Sequence, residues 1–199
     1  MQHQPPIVLL DVMDTLIRDP AFQVVPDFFG EDLSSHFALK DKQAFHAFER
    51  GELDEAAFHA RYYLDGRPWD LEGLKQRLTA GYEWIEGMRA LVETLVQEGW
   101  ELHALSNYSC WYELVDGRCQ VTSAGVQRSF VSCDTGVRKP SPAAYLGPCA
   151  ALNTPPSGFL FVDDRAKNVR AARAVGMPAV RFRDAATLRA VLGRYRSIP

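Results

Sequence analysis

Near its amino terminus the chain reads Ile7-Val8-Leu9-Leu10-Asp11-Val12-Met13-Asp14-Thr15-Leu16, a run of apolar residues that ends at a carboxylate. Its leading apolar run is typical of a strand that is buried on both faces of a parallel sheet. Asp11 then lies at the carboxyl end of the strand, where open α/β sheets bind their ligands. A carboxylate in this position can act as nucleophile, general base or metal ligand. An Asp at a strand end also often does no more than begin a turn, so the interpretation depends on further signals.

Three later stretches end in chemically active side chains. The first, Leu102-His103-Ala104-Leu105-Ser106-Asn107, is an apolar strand that ends in a hydroxyl and an amide. The second, Gly136-Val137-Arg138-Lys139-Pro140, puts a lysine in a short loop, and the third, Phe159-Leu160-Phe161-Val162-Asp163-Asp164, ends in paired carboxylates. Because the carboxyl ends of parallel strands meet at one edge of a sheet, we expect these side chains to converge there with Asp11.

The remaining pattern predicts an α/β unit with a helical insertion. From Gly87 onward, strand and helix signals alternate, which indicates a doubly wound parallel sheet with right-handed crossovers. Residues 21–81 break this alternation and carry helical signals, among them Asp54 as an N-cap. Within that segment, residues 21–30 show no clean period and are predicted to form an irregular connection over the site.

Length, composition and charge narrow the class of protein. The chain has 199 residues, of which 47% are hydrophobic and 24% charged, as expected for one soluble domain with an insertion. The net charge of −3 gives no reason to expect nucleic-acid binding, and no apolar run is long enough to span a membrane. Residues 1–6 lack the basic region of a signal peptide. The four cysteines form no C-x-x-C pair, so we expect reduced thiols in a cytoplasmic protein.

The four stretches, in this order, resemble the four motifs of the haloacid dehalogenase-like (HAD) hydrolase superfamily. The resemblance extends from Ile7 to about Arg181. It implies a Rossmann-like core formed by residues 1–20 and 82–199, with a small C1-type helical cap inserted at residues 21–81. It also implies a Mg²⁺-dependent hydrolase of a small phosphorylated metabolite, in which Asp11 forms an aspartyl-phosphate.

The resemblance assigns a role to each motif residue. Asp11 is the nucleophile, Thr15 orients it, and Lys139 offsets the repulsion between its carboxylate and an anionic substrate. Ser106 and the backbone N–H of Asn107 bind a phosphate oxygen. Two adjacent carboxylates repel each other unless a cation compensates, which favours a metal ion at the acidic pair. The predicted metal ligands are Asp11, the backbone carbonyl of Met13, and Asp164, whereas Asp163 either binds the ion through a water molecule or holds Lys139.

One position departs from the superfamily's pattern. Its phosphatases carry Asp-x-Asp in the first motif, whereas this chain has Met13 at the second position and Asp14 one residue later. Side chains alternate in an extended segment, so the carboxylate of Asp14 is predicted to face away from the side on which Met13 projects. A positioned general acid typically raises the reaction rate ~10²–10⁴-fold, so we expect a phosphatase of reduced efficiency.

Three other functions remain open at this point. Phosphonate-cleaving members of the superfamily also lack the second Asp and use a cap lysine, for which Lys40 and Lys42 are available. Dehalogenating members lack it too, but they do not need the acidic pair Asp163–Asp164. A non-catalytic binding protein on the same scaffold is the fourth possibility. The residues indicate neither the substrate nor an oligomeric state.

The aromatic and histidine side chains of the insertion are less informative. His36, His46 and His59 are predicted at a solvated surface, whereas His103 is predicted to pack in mid-strand. The insertion's aromatic residues can line a substrate pocket, although each is more often part of a local core. These residues are Phe45, Phe48, Phe58, Tyr62, Tyr63 and Trp69.

Overall fold

A parallel five-stranded sheet forms the centre of the protein. The computed structural model describes residues 5–196. Residues 1–4 and 197–199 lie outside the described part. Most of the segment 1–6, for which no signal peptide was predicted, therefore lies outside it as well. The strand order is β5-β4-β1-β6-β7, so β1 and its terminal Asp11 lie at the centre of the sheet. The strands are β1 (Ile7–Leu10), β4 (Leu102–Ser106), β5 (Gln127–Val131), β6 (Phe159–Asp163) and β7 (Ala179–Arg181).

Helices cover both faces of this sheet, which confirms the predicted doubly wound α/β fold. The side chains of β1 point alternately to opposite faces of the sheet: Val8 and Leu10 belong to one buried cluster and Leu9 belongs to the other. Helices α6, α7 and α11 pack on the first face, and α9 and α10 pack on the second. The helices that follow residue 81 are α6 (Met88–Gln97), α7 (Tyr112–Cys119), α8 (Ser132–Thr135), α9 (Pro142–Ala151), α10 (Ala166–Ala174) and α11 (Ala185–Arg196).

Five helices form a separate layer between two short strands. The strands β2 (Ile17–Arg18) and β3 (Glu83–Trp84) pair antiparallel, so the chain leaves the sheet region and returns to it through one two-stranded ribbon. An Asp side chain accepts a backbone N–H at the start of each helix from α2 to α5. The five helices are α1 (Ala21–Phe29), α2 (Leu33–Leu39), α3 (Lys42–Glu49), α4 (Glu55–Arg61) and α5 (Leu71–Gly81).

The irregular connection predicted for residues 21–30 is wrong, because most of this segment is helix α1. Pro26 lies inside the helix, where a proline costs ~3 kcal/mol. Apolar side chains of α1, including Val24 and Phe28, pack against the main buried cluster and offset that cost. Gly30 ends the helix in the left-handed conformation and donates its N–H to the carbonyl of Pro26.

The surface prediction is wrong for His36, which is fully buried. Its Nδ1 lies 3.2 Å from Glu31 Oε2, and its Nε2 lies 2.7 Å from the hydroxyl of Tyr62. His46 is exposed as predicted, and His103 is buried in mid-strand as predicted.

Within residues 5–196, no helix combines the length and the apolar character that a bilayer crossing requires.

Candidate active site

Three charged side chains from three parts of the chain meet at the carboxyl end of the sheet. The Nζ of Lys139 lies 2.9 Å from Asp11 Oδ1 and 2.8 Å from Asp163 Oδ2. All three residues are buried, at 3% exposure for Lys139, 6% for Asp11 and 0% for Asp163. One ammonium group therefore compensates two carboxylates from neighbouring strands, in the arrangement that the motifs suggested.

Asp163 is held in place by the start of helix α10. The backbone N–H of Arg165 donates to Asp163 Oδ1 at 2.7 Å, and the amide of Asn168 donates to both carboxylate oxygens. Burial acts to raise the pKa of Asp163, but the charge of Lys139 and these hydrogen bonds outweigh it, so the pKa lies below its usual value. Asp163 is thus an ionised anchor for Lys139.

The pKa of Asp11 is shifted in the direction opposite to that of Asp163. Burial, which is the largest influence, raises the pKa of Asp11 to about 7, and the negative charge of Asp163 acts in the same direction. Lys139 opposes both effects without cancelling them. Asp11 therefore changes its protonation state close to neutral pH, whereas Asp163 remains ionised there.

The side chain of Asn107 holds the backbone of Lys139. Its Nδ2 donates to the Lys139 carbonyl at 2.9 Å, and its Oδ1 accepts the Lys139 N–H at 2.8 Å. The sequence suggested only that the backbone of Asn107 would bind phosphate. No spacing rule predicts this paired contact, because 32 residues separate the partners.

Asn107→Ala is expected to displace Lys139 and to lower activity together with stability. Loss of two hydrogen bonds costs roughly 1–3 kcal/mol, which thermal or urea unfolding measures. Asn107→Leu is the matched variant, because it keeps most of the side-chain volume and removes both hydrogen-bonding groups. We expect it to be destabilised about as much as Asn107→Ala, and a stability equal to that of the unmodified protein would contradict this role.

The carboxylates at the sheet edge also include Asp164. Ligand oxygens of Asp11, Asp163 and Asp164 lie within 4.8 Å of one another. Asp164 Oδ1 is buried and has no hydrogen-bond partner among the described residues, and burial raises the pKa of Asp164. Three clustered hard oxygen donors, one of them without a partner, fit the coordination chemistry of Mg²⁺.

Two further motif hydroxyls are buried behind the cavity surface. Ser106 and Thr15 are at 2% and 0% exposure, and neither hydroxyl has a hydrogen-bond partner in the part of the chain that is described. Neither Ser106 nor Thr15 is among the described residues that line the cavity. Asn107, which follows Ser106, does line the cavity.

Met13 and Asp14 face different spaces, as predicted, although the chain turns at Asp14 and is not extended there as the prediction assumed. Met13 lines the same cavity as Asp11, whereas Asp14 lines a separate depression beside Arg18. Asp14 has a φ of 55°, and its carboxylate accepts the backbone N–H of Asp19 at 3.1 Å. Its carboxyl group therefore supports the turn after β1 and is not among the described groups that line the cavity with Asp11.

A cavity of about 410 Å³ opens in front of Asp11 and is walled by both the sheet region and the helical layer. Its wall carries six cationic side chains and three carboxylates, although the whole chain has a net charge of −3. A cationic cavity favours an anionic ligand. The six cations are Lys40, Lys42, Arg138, Lys139, Arg165 and Lys167, and the three carboxylates are Asp11, Asp19 and Glu49.

Aromatic rings supply much of the remaining wall. Phe45, Phe48, Phe58 and Tyr62 line the cavity, whereas Tyr63 and Trp69 do not. The ammonium of Lys40 lies 3.6 Å from the centre of the Phe45 ring, and burial lowers the pKa of Lys40 to about 8. The sequence indicated the aromatic residues as a group but gave no sign of which ones reach the site. Further rings in the wall are Phe22, Phe37, Tyr108 and Trp111.

Solved structures share this architecture across nearly the whole chain. A HAD-like family hydrolase from Porphyromonas gingivalis superposes with a TM-score of 0.78 at 19% identity, covering 98% of this chain and 99% of that one. A HAD family enzyme from Bacteroides thetaiotaomicron, in complex with magnesium and inorganic phosphate, gives a TM-score of 0.71 at 16% identity over 91% and 96%. No family model matches the sequence.

A curated relative supplies the sequence evidence. Flavin mononucleotide hydrolase 1 of Arabidopsis thaliana, whose name describes it as chloroplastic, is 39% identical over 183 residues, which cover 92% of this chain and 74% of the relative. The chain belongs to the HAD-like hydrolase superfamily. The superfamily predicted from the four stretches is thereby confirmed, and so is the assignment of this HAD protein as a hydrolase.

Proposed function

We propose that this HAD hydrolase is a Mg²⁺-dependent phosphatase that cleaves a small phosphate monoester carrying a flat aromatic group, with flavin mononucleotide as the first substrate to test. One observation carries the proposal: a buried Asp11 faces a cavity whose wall combines six cations with aromatic rings. The cations suit a phosphate group, and the rings suit a planar heterocycle. The name of the Arabidopsis relative supports the same substrate class.

We further propose that residues 21–81 act as a cap over a core made of residues 1–20 and 82–199. The ribbon formed by β2 and β3 supports these limits, because it brackets the five helices. Direct contacts between the two parts support a closed arrangement. Glu49 Oε2 lies 2.6 Å from Arg138 Nη2, and a side chain at Gly51, whose φ is 70°, would collide with the Cys133 carbonyl.

In the proposed reaction an oxygen of Asp11 attacks phosphorus and the ester oxygen leaves. Lys139 lowers the electrostatic cost of bringing a phosphate group against a carboxylate. We assign phosphate binding to the hydroxyl of Ser106 and to the backbone N–H of Asn107, and orientation of Asp11 to Thr15. The buried hydroxyls without partners at Ser106 and Thr15 are compatible with these roles.

The proposed metal ligands are Asp11, Asp164, the backbone carbonyl of Met13, and Asp163 through water. A bound Mg²⁺ would shield charge between the phosphate and Asp11. Complexes of related HAD enzymes with magnesium and phosphate support this assignment. The buried Asp164 oxygen, which has no hydrogen-bond partner within residues 5–196, is the feature of this chain that favours the assignment most.

Binding of Mg²⁺ is expected to strengthen as pH rises toward 7 and then to level off. The pKa of Asp11 is raised to about 7, so below that pH the native state holds a proton that the metal has to displace. Affinity should therefore rise by up to about tenfold per pH unit between pH 5 and 7. Calorimetric titration of the protein with MgCl₂ measures it, and Asp11→Asn, which has no such proton, should give a flatter profile.

The substrate proposal is tested by turnover of a panel of phosphate esters with and without Mg²⁺. Flavin mononucleotide should have a lower KM than β-glycerophosphate, which lacks a ring, because the aromatic wall contacts only the former. Substitution of a ring in the wall, Phe45→Ala, should raise KM for flavin mononucleotide and leave that for β-glycerophosphate nearly unchanged. A panel in which no phosphate ester is hydrolysed would reject the proposed function.

Phosphonate cleavage is a second candidate, favoured by one observation. Lys40 lines the cavity with Asp11, and its pKa is lowered to about 8, so part of the Lys40 population is a neutral amine at neutral pH. Such an amine can form a Schiff base with a substrate aldehyde. Treatment with phosphonoacetaldehyde followed by borohydride would then label Lys40 irreversibly. Haloacids, added to the panel of phosphate esters, test the dehalogenase alternative.

A further inference from the structure

The proposed reaction needs a proton for its leaving group. When the ester bond of an alkyl phosphate breaks, the leaving oxygen becomes an alkoxide, and a positioned acid typically speeds this step ~10²–10⁴-fold. The thioether of Met13 has no proton to donate, and Asp14 does not line the cavity. An acid for this step therefore has to come from another part of the wall.

The described residues that line the cavity offer three carboxyl groups. Asp11 is the proposed nucleophile and contacts Lys139. Glu49 forms an ion pair with Arg138 at 2.6 Å, which occupies one of its oxygens, although burial outweighs this cation and raises the pKa of Glu49. Among the described residues, Asp19 has no cation within ion-pair distance, which sets it apart from the other two.

We propose that Asp19 is the general acid of this enzyme and protonates the leaving oxygen of an ester bound at Asp11. The inference rests on the proposed phosphatase function. Asp19 lies between the strand β2 and the helix α1, where the chain passes from the sheet region to the helical layer. Asp19 lines the cavity at the junction of the two parts that enclose the ligand, and it also borders the separate depression that Asp14 lines.

The hydrogen bonds of Asp19 leave one oxygen available. Asp19 Oδ1 accepts the backbone N–H of Ala21 at 2.9 Å, which fixes the orientation of the carboxyl group. Its second oxygen has no hydrogen-bond partner among residues 5–196. Burial raises the pKa of Asp19, and the charge of Asp14 adds to this, although the N–H of Ala21 and the cation of Arg165 act against it. At a given pH, the Asp19 carboxyl group is therefore protonated in a larger fraction of molecules than an exposed Asp would be.

The proposed step conserves protons and charge. An oxygen of Asp11 bonds to phosphorus while the ester P–O bond breaks, and the electron pair of that bond passes to the leaving oxygen, which takes the proton of Asp19. The products are a neutral alcohol, an aspartyl-phosphate on Asp11 and a carboxylate at Asp19. That carboxylate can then accept a proton from the water that hydrolyses the intermediate, which restores both groups.

The dependence of kcat/KM on the leaving group tests the role of Asp19. This ratio covers the steps up to formation of the aspartyl-phosphate and does not depend on its hydrolysis. Asp19→Asn should lower kcat/KM ~10²–10⁴-fold for flavin mononucleotide and β-glycerophosphate, and far less for p-nitrophenyl phosphate, whose leaving group needs little protonation. Adding Met13→Asp to this variant should recover part of the alkyl ester activity and leave p-nitrophenyl phosphate nearly unchanged.

Three control variants separate proton donation by Asp19 from a purely structural role of its carboxyl group. Glu72→Gln, a carboxyl substitution on helix α5 outside the cavity, should leave both substrate classes unchanged. Asp19→Asn retains an oxygen for the N–H of Ala21, and Asp19→Ser repeats the comparison if the first variant melts early. Glu49→Gln should lack the selective loss on alkyl esters.

Equal losses on all substrates, or no loss on alkyl esters, would overturn the assignment of Asp19. So would a selective loss on alkyl esters in Glu49→Gln and not in Asp19→Asn. The failure of the proposed function is distinguishable from these outcomes, because it appears in the unmodified protein as absence of turnover with every ester, p-nitrophenyl phosphate included.

Discussion

Turnover of every phosphate ester is expected to disappear in the Asp11→Asn variant while the fold persists. An amide cannot form the aspartyl-phosphate, and loss of a covalent nucleophile costs on the order of 10⁶-fold in kcat in a well-studied protease. Acid quenching followed by mass spectrometry should detect a phosphorylated protein only when Asp11 is intact. A phosphorylated Asp11→Asn variant would place the nucleophile elsewhere.

The same substitution should not destabilise the protein above neutral pH. The native pKa of Asp11 is raised to about 7 from 3.8, chiefly by burial, so ionising this group disfavours the native state progressively as pH rises from about 4 to 7. Asn carries no charge and avoids this cost. The melting temperature at pH 8 should therefore equal or exceed that of the unmodified protein. Asp14→Asn, whose carboxyl lies outside the cavity, is the matched control and should retain turnover.

The sequence was most informative where a signal is local. The apolar runs before Asp11 and Asp163 each predict a buried strand without reference to any other part of the chain. Parallel strands then bring their carboxyl ends to one edge, so the proximity of Asp11 and Asp163 follows from topology. Lys139 lies in a loop beyond the edge strand β5, so its 2.8 Å contact with Asp163 was expected only with the help of the resemblance to the superfamily.

The sequence was least informative where distant segments meet. His36 is buried because Tyr62, 26 residues later, supplies a partner for its ring nitrogen. Asn107 is important through its contacts with the backbone of Lys139, which leave no pattern in the sequence. The helix α1 was missed because its packing outweighs the unfavourable Pro26, and local propensity does not include such packing.

The cavity wall illustrates the same limit for function. Its cations come from the end of α2, the start of α3, the loop before α9 and the start of α10, and Arg138, Arg165 and Lys167 each read in the sequence as ordinary surface charges. Only the three-dimensional structure shows that these cations surround one cavity. The role proposed for Asp19 has the same origin, since Asp19-Pro20 reads as a turn in the sequence.

Lys139→Ala is expected both to abolish turnover and to destabilise the protein. Removal of the ammonium leaves the carboxylates of Asp11 and Asp163 buried without their shared cation, and breaking a buried ion pair costs ~3–5 kcal/mol. Urea unfolding measures this loss. It should shrink as pH falls toward 5, because protonation of Asp11 removes one of the two uncompensated charges.

Two further variants show whether the charge of Lys139 or its bulk is responsible. Lys139→Met keeps most of the side-chain volume and should behave as Lys139→Ala does in both assays, since neither variant carries a charge. Lys75→Ala removes a lysine that is ion-paired with Glu55 and Glu72 away from the cavity, so it should cost no more than ~1 kcal/mol and retain full turnover. Undiminished activity in Lys139→Met would mean that phosphate approaches Asp11 without this cation, which contradicts the electrostatic role assigned to it.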